Sequence, residues 1–400
     1  MTVSEDDIVI AGGGLAAVRT AQSLRDLHHL GRITLLSDEA ALPYDRPPLS
    51  KGYLLGKVGD EQIRLLAAQK LADMQIEVRV SCRAVGLDRE LSQVRLADGS
   101  SVDYGRLVVA TGARPVRLAQ FDNFSNVHVL RTMDDAKNLR EALRPGQRVG
   151  IVGAGFIGLE IAAAAIELGC QVTVIEAAAV PLAAILGAEL GACIQRWHER
   201  KGVVFRCGAK INAVHGDDRV RSLSLTQSVS NGEVLEVDAV VVGVGQQANV
   251  EWLADSGLAL HRGLVCDVNG RTLDSRVFGV GDAVCTQIGE AYHPTRQWTA
   301  VTEQARRTAA ALCGHPEPGI AIEDFYFWSD QHGSRLQFAG QVPDDPRWIW
   351  VNGGPNEDRF VALACTAKQV CAVFSLASPR DFLIHSMPLR RGERIAAPAP

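Results

Sequence analysis

No two of the nine cysteines in this 400-residue chain form a C-x-x-C pair, and their odd number, scattered from Cys82 to Cys371, suggests neither a disulfide framework nor a metal site. Free thiols in a reducing compartment are the expectation. Positive charge is also short. Lys plus Arg number 41 against 46 Asp plus Glu, a net charge of −5, so there is no basic field to follow a phosphate backbone and no nucleic-acid partner is expected. No apolar run reaches the ~20 residues of a membrane span, and the opening Met-Thr-Val-Ser-Glu-Asp-Asp is acidic where a secretory leader would be basic. These absences point to the cytoplasm and away from a membrane. What is plentiful is apolar residue, 47% of the chain beside 22% charged, and 400 residues exceed what one core organises. Two or three packed domains follow.

Glycine is concentrated where it can serve a ligand. Ile8-Val9-Ile10-Ala11 reads as a buried strand, Gly12-Gly13-Gly14-Leu15-Ala16-Ala17 as the turn after it, and a helical stretch follows through Arg25 before a second strand, Ile33 to Leu36. That strand ends at Ser37-Asp38-Glu39, with Asp38 26 residues beyond Gly12. A βαβ unit with glycines at its turn and an acid at about this distance is a dinucleotide fingerprint, which tolerates Ala17 in place of the third glycine. The pattern repeats: Arg148 to Val152 leads into Gly153-Ala154-Gly155-Phe156-Ile157-Gly158, then a helix, then Val172 to Ile175 and Glu176. One such motif can be a glycine-rich turn in any α/β protein. Two, each between strand and helix and each followed by an acid, predict two dinucleotide sites, where backbone amides and the helix N-terminus face a pyrophosphate.

Leu107 to Pro115 and Val277 to Ala283 read as strand ends followed by polar turns, and Asp238 to Gly245 between them as another buried strand. From Tyr326 the pattern changes to β-rich segments, Arg347 to Val351, Phe360 to Ala364 and Val370 to Phe374, broken by turns such as Asn-Gly-Gly-Pro. The predicted fold is α/β: a discontinuous dinucleotide-binding domain over 1–113 and 246–325, a second dinucleotide-binding domain over 114–245, both Rossmann-like, and a small α+β C-terminal domain over 326–400 that is largely antiparallel. Ile395 to Pro400 reads as a frayed tail. Two dinucleotides on one chain pair usefully as a fixed flavin and a mobile nicotinamide that hands it a hydride. Asp282, at a strand end beside a helix start, could accept hydrogen bonds from flavin ribityl hydroxyls or serve as an N-cap.

Five pieces carry a family resemblance: Tyr44-Asp-Arg-Pro-Pro-Leu-Ser-Lys51, Ala110-Thr-Gly-Ala-Arg-Pro115, Gly153-Ala-Gly-Phe-Ile-Gly-Leu-Glu160, Val280-Gly-Asp-Ala283 and Phe327-Trp-Ser-Asp-Gln331. In these the chain resembles the FAD-dependent ferredoxin reductases that serve Rieske oxygenases and cytochrome P450 systems, flavoproteins with a glutathione-reductase-like fold. That resemblance assigns FAD to the domain over 1–113 and 246–325 and NAD to the domain over 114–245. The resemblance implies that Gly12, Gly14, Leu15, Ala16 and Asp38 hold the FAD adenosine and pyrophosphate, with Ala84 touching the adenine through its backbone. It places Arg46, Lys51 and Arg114 along the flavin, with Ala110, Thr111, Gly112, Gly281, Asp282 and Trp298 also contacting cofactor. Gly153, Gly155, Phe156, Ile157, Gly158, Glu160, Glu176 and Gly245 fall to the nicotinamide nucleotide. Lys51, Glu160 and Trp328 are the implied catalytic residues: Lys51 as a cation beside the flavin edge, paired with Glu160, and Trp328 as an aromatic covering that edge. Read without the resemblance, Lys51 is a solvated loop lysine and Trp328 a packing element.

The sequence also departs from the pattern. Pro294 to Val301 differs from the family run, with Arg296 where an acid is usual, and no arginine follows Glu176 through Ala184, which implies weaker nicotinamide binding but a preference for NADH over NADPH. The expected activity is electron transfer from NADH through FAD to a small 2Fe–2S ferredoxin, which in turn feeds an oxygenase. Because that partner is acidic, Arg306, Arg307, Arg335, Arg390, Arg391 and Arg394 are candidate docking charges, or solvated surface residues. Rival readings are a disulfide reductase, which needs a dithiol pair, an NADH oxidase or peroxidase, which needs a reactive cysteine near Lys51, and a redox-responsive flavoprotein of the apoptosis-inducing-factor type.

Overall fold

All four residues of the strand Ile8–Ala11 are buried, as an aliphatic run requires when both faces of its sheet are covered. In the computed structural model, which describes residues 4–227, 231–294, 298–315 and 326–397, this strand is the centre of a five-stranded parallel sheet ordered Val277–Gly279, Arg106–Val109, Ile8–Ala11, Ile33–Leu36, Ile76–Arg79. One face packs on the helices Leu15–Asp26 and Trp298–Leu312 through Ile10, Ala17, Leu24, Ala305 and Ala309. The other packs Val9, Ala11 and Leu107 on Leu87, Val94 and Leu96 of a small antiparallel sheet, Ala84–Asp88, Gln93–Leu96 and Ser101–Asp103. These elements belong to a compact unit made of Met1–Asp45, Asp60–Arg114 and Gln247–Glu323.

The second unit comprises Arg46–Gly59, Pro115–Gln246 and Asp324–Pro400. Its parallel sheet runs Val204–Cys207, Gln171–Glu176, Arg148–Val152, Ala239–Val242, Val127–His128, repeating the construction of the first. Its C-terminal part is a five-stranded antiparallel sheet ordered Tyr326–Gln331, Ser334–Gly340, Val370–Leu376, Phe360–Cys365, Arg347–Asn352. The helix Pro379–Arg390 covers one face through Phe382. On the opposite face Phe338, Phe360 and Phe374 share one continuous core with Leu159, Leu190 and Trp197 of the helices Phe156–Glu167 and Ala183–Arg200.

Three features add to the sequence reading. The C-terminal sheet shares its core with the second parallel-sheet region and clusters with it. Residues 46–59, placed by the sequence in the first domain, pack in the second unit, where Leu54 is fully buried in the same core. The tail is not frayed as far as it is described: Ile395 accepts a backbone hydrogen bond from Val370, and Ala397 donates one to Lys368.

Candidate dinucleotide turns and a buried lysine–glutamate centre

The two glycine turns are built alike. Gly12 has φ +143°, and a Cβ there would lie 2.1 Å from the Ala110 carbonyl oxygen, so the Ala110-Thr111-Gly112 strand end abuts the first turn. Gly153 has φ +100°, and its Cβ would lie 2.5 Å from the Gly243 carbonyl oxygen. Only glycine fits either position. The middle glycines differ in a telling way: a Cβ on Gly14 or on Gly155 would meet no protein atom within 4 Å. Both are N-caps, of Leu15–Asp26 and Phe156–Glu167, and neither helix start is capped by a side chain. Each turn therefore offers uncapped amides and a positive helix end to a cradle that the protein leaves open, which fits a dinucleotide pyrophosphate.

The acids stand at the ends of the neighbouring strands. Asp38 is two-thirds exposed, 4.0 Å from the Arg83 guanidinium. Glu176 reaches back to the second turn, accepting the Ala154 N–H at 2.7 Å and the Ala178 N–H at 2.8 Å. Cys207 lies opposite Glu176 in register, and its thiol is pushed up to about 11 by burial, then by the charges of Glu176 and Glu199. Arg206, its neighbour, is committed to both carboxylate oxygens of Glu233.

Glu160 lies in the helix that begins at the second turn and is 4% exposed. Burying a carboxylate costs several kcal/mol unless donors surround it, and here three do. Lys51 Nζ lies 2.6 Å from Oε2, Ser50 donates its hydroxyl to the same oxygen, and Ser329 donates to Oε1 at 2.5 Å. Lys51 is fixed further by the Pro47 carbonyl, 3.1 Å away. Its position follows from Pro47–Ser50, a 3-10 turn favoured by the two prolines at its start. The result is a largely buried ammonium whose direction is set by a carboxylate, an arrangement able to hold positive charge where negative charge develops.

A family model described as pyridine nucleotide-disulphide oxidoreductase matches residues 6–306, and a reductase C-terminal model matches 326–399. The chain belongs to the pyridine nucleotide-disulphide oxidoreductase family. It is 35% identical over 384 residues to a probable ferredoxin reductase, CtmF, of Castellaniella defragrans, covering 95% of this chain and 92% of that one. It is 34% identical over 342 residues to the rubredoxin-NAD(+) reductase of Pseudomonas putida, covering 84% and 87%. Among solved structures, the covalent putidaredoxin reductase–putidaredoxin complex matches with TM-score 0.90 and 30% identity over 98% of this chain and 94% of that one.

The remaining residues implied by the family resemblance are distributed over both units. In the first, Gly281 has φ +81°, donates its N–H to Gln304 Oε1 at 2.8 Å, and lies so close to Ala16 that a Cβ would come within 2.8 Å of the alanine methyl. This sets Asp282 beside the first glycine turn. It sits inside the short turn Gly281–Ala283, and Val280 rather than Asp282 is the N-cap. Thr111 donates to the Asn249 carbonyl at 2.6 Å. Arg114 is half-exposed and engages Glu251 and Asn249. Trp298 donates its indole N–H to Asp45 at 3.1 Å, and Ala84 opens its strand half-buried. Arg296 lies outside the described residues.

In the second unit, Arg46 donates to the Arg131 carbonyl, Phe156 makes an edge contact with Phe327 at 4.6 Å, and Ile157 is 47% exposed beside its turn. Gly245, at φ +131°, accepts the Val116 N–H. Along Tyr326–Gln331 the alternation of a strand puts Phe327, Ser329 and Gln331 on one face and Tyr326, Trp328 and Asp330 on the other. Trp328, stacked on Tyr326 with centroids 6.0 Å apart, thus faces away from the strand face that serves Glu160. Arg335, paired with Asp330, and Arg390, 4.9 Å over the Tyr326 ring, share the Trp328 face. Arg306 and Arg307 belong to the first unit, both on Glu303. Ser50 and Ser329 are the site residues that the sequence reading did not assign, although both stand inside the motifs it singled out.

Proposed function

We propose that this chain is the flavoprotein reductase of an oxygenase electron-transfer chain, taking electrons from NADH and delivering them to a 2Fe–2S ferredoxin. FAD and NAD(H) are the cofactors of this family reading, with FAD assigned to residues 1–113 and 246–325 and the nicotinamide nucleotide to 114–245. Bound FAD converts a two-electron hydride donor into two one-electron deliveries. Gly12, Gly14, Leu15 and Ala16 receive its pyrophosphate, and Asp38 and Asp282 accept hydrogen bonds from its hydroxyls. Gly153, Gly155 and Gly158 hold the nicotinamide pyrophosphate, and Glu176 the adenosine ribose. Lys51, held by Glu160, stabilises the negative charge gained on reduction. Trp328, on the face with Arg335 and Arg390, covers the path toward an acidic partner.

The observation that carries this reading is the buried Lys51–Glu160 pair in a chain with two open glycine turns. The thiols argue against a disulfide reductase: no C-x-x-C pair occurs, and burial pushes the thiols of Cys170, Cys193, Cys207, Cys313 and Cys365 upward, away from the thiolate. Scattered, unclustered cysteines of this kind favour a reducing, cytoplasmic location. Among the described residues no helix is long and apolar enough to cross a membrane. The test is NADH-driven cytochrome c reduction with a 2Fe–2S ferredoxin, a rubredoxin or no carrier. Turnover that depends on the ferredoxin is expected. Turnover only with rubredoxin, or equal rates without a carrier, would contradict the acceptor.

A further inference from the structure

We propose that His198 and His332 are positioning residues for Glu160, acting through a buried, one-directional hydrogen-bond chain that runs His332, His198, Gln331, Ser329, Glu160. This rests on the role proposed for the Lys51–Glu160 pair. The links are short throughout. Ser329 Oγ lies 2.5 Å from Glu160 Oε1, Gln331 Nε2 2.8 Å from Ser329 Oγ, His198 Nε2 2.8 Å from Gln331 Oε1, and His332 Nε2 2.9 Å from His198 Nδ1. The four inner members are all buried, His198 completely.

The direction follows from donor and acceptor chemistry. The Glu160 carboxylate beside an ammonium only accepts, so Ser329 must donate its one proton to it. Ser329 Oγ then accepts from the Gln331 amide nitrogen, which turns the amide oxygen toward His198. That oxygen requires Nε2–H on His198, leaving Nδ1 as an acceptor for Nε2–H of His332. One charge thus fixes an amide orientation and two tautomers. Both imidazoles suit this by being neutral: burial first, then the neighbouring His332, holds His198 down to about 3, and burial, then Lys201, holds His332 down to about 4. A fully satisfied chain of this kind restrains the carboxylate it ends on.

The turn at His332 places its side chain at the end of this hydrogen-bond chain. His332-Gly333 is a two-residue hairpin loop with φ +49° and +71°, closing the Gln331–Ser334 pair. Such turns favour asparagine at the first position, yet here an imidazole occupies it and reaches back to the chain. His198 belongs to Ala183–Arg200, so a helix and a hairpin meet through two histidines whose ring centroids are 4.7 Å apart.

The experiment uses the FAD-loaded protein. Long-range proton–nitrogen spectra of histidine-labelled protein at pH 7 are expected to show His198 and His332 as neutral Nε2–H tautomers, with the His198 nitrogens shifting in Glu160→Gln. Stopped-flow reduction by saturating NADH should slow about tenfold in His332→Asn and His198→Gln, the lower end of what the loss of an orienting partner costs in metal sites. FAD content and KM for NADH should stay near wild type. His332→Asn suits the turn and keeps the test open if His198→Gln fails to fold. Ser329→Thr should retain the rate that Ser329→Ala loses. Nδ1–H tautomers, or reduction rates unchanged in His332→Asn, would overturn the proposal. A wild-type flavin that NADH does not reduce would overturn the proposed function instead, and the tautomer spectra would still decide the chain.

Discussion

Lys51 and Glu160 lie 109 positions apart in sequence and 2.6 Å apart in space. Removing the ammonium by Lys51→Met leaves Glu160 buried with two hydroxyl donors and no counter-charge, which costs about 3–5 kcal/mol where such pairs are fully buried. A lower urea midpoint is expected with flavin content retained. In the proposed assignment Glu176 would set the choice of nucleotide: a carboxylate there would repel a 2′-phosphate, Arg206 is engaged with Glu233, and no cation stands from 177 to 184. NADH should exceed NADPH in kcat/KM by about tenfold, or ~1.4 kcal/mol. Glu176→Gln should narrow that ratio, and a wild-type preference for NADPH would contradict the assignment. At this scale the motifs made Lys51 and Glu160 legible. Ser329 was not, because its role depends on which face of Tyr326–Gln331 meets a helix 169 residues away. His198 belongs to no motif at all.

Among elements, the two glycine turns separate what the fold needs from what a ligand needs. Gly12→Ala would strain φ +143° and drive a methyl into the Ala110 carbonyl, so loss of stability is expected. Gly14→Ala meets only open space at φ −98°. It should fold, with an unchanged melting temperature when FAD-free, yet bind FAD weakly as judged by flavin retained on gel filtration. Gly155→Ala should raise KM for NADH without loss of FAD. The strands around these turns were readable to the residue, Ile8–Ala11, Ile33–Leu36 and Arg148–Val152 alike, since the first and last run into glycine and the second ends at Ser37-Asp38. The helix Ala183–Arg200 was not. It is broken at Gly187, φ +75°, and follows a left-handed Leu182, features set by tertiary packing rather than by a start signal.

For the whole molecule, order along the chain was legible and the sharing of cores was not. Residues 46–59 carry the motif of a flavin-side loop but bury Leu54 with the second unit, a preference that composition cannot express. Stability should carry the mark of the buried histidine. His198 titrates near its ordinary 6.5 when unfolded but is held down to about 3 by burial in the fold. The unfolded chain therefore binds more protons below 6.5, so stability is complete above that pH and falls as pH drops toward the folded value. Urea midpoints at pH 7.5 and 5 should differ, and His198→Gln should reduce the difference. The central claim is that NADH reduces a bound FAD under the influence of the Lys51–Glu160 pair. It is tested most directly by anaerobic stopped-flow of FAD-loaded wild type and Lys51→Met at saturating NADH, following the flavin absorbance. Rapid bleaching in wild type and a step slowed about tenfold or more in the variant, at equal flavin content, is the result expected; equal rates, or a wild-type flavin that NADH leaves oxidised, would contradict the claim.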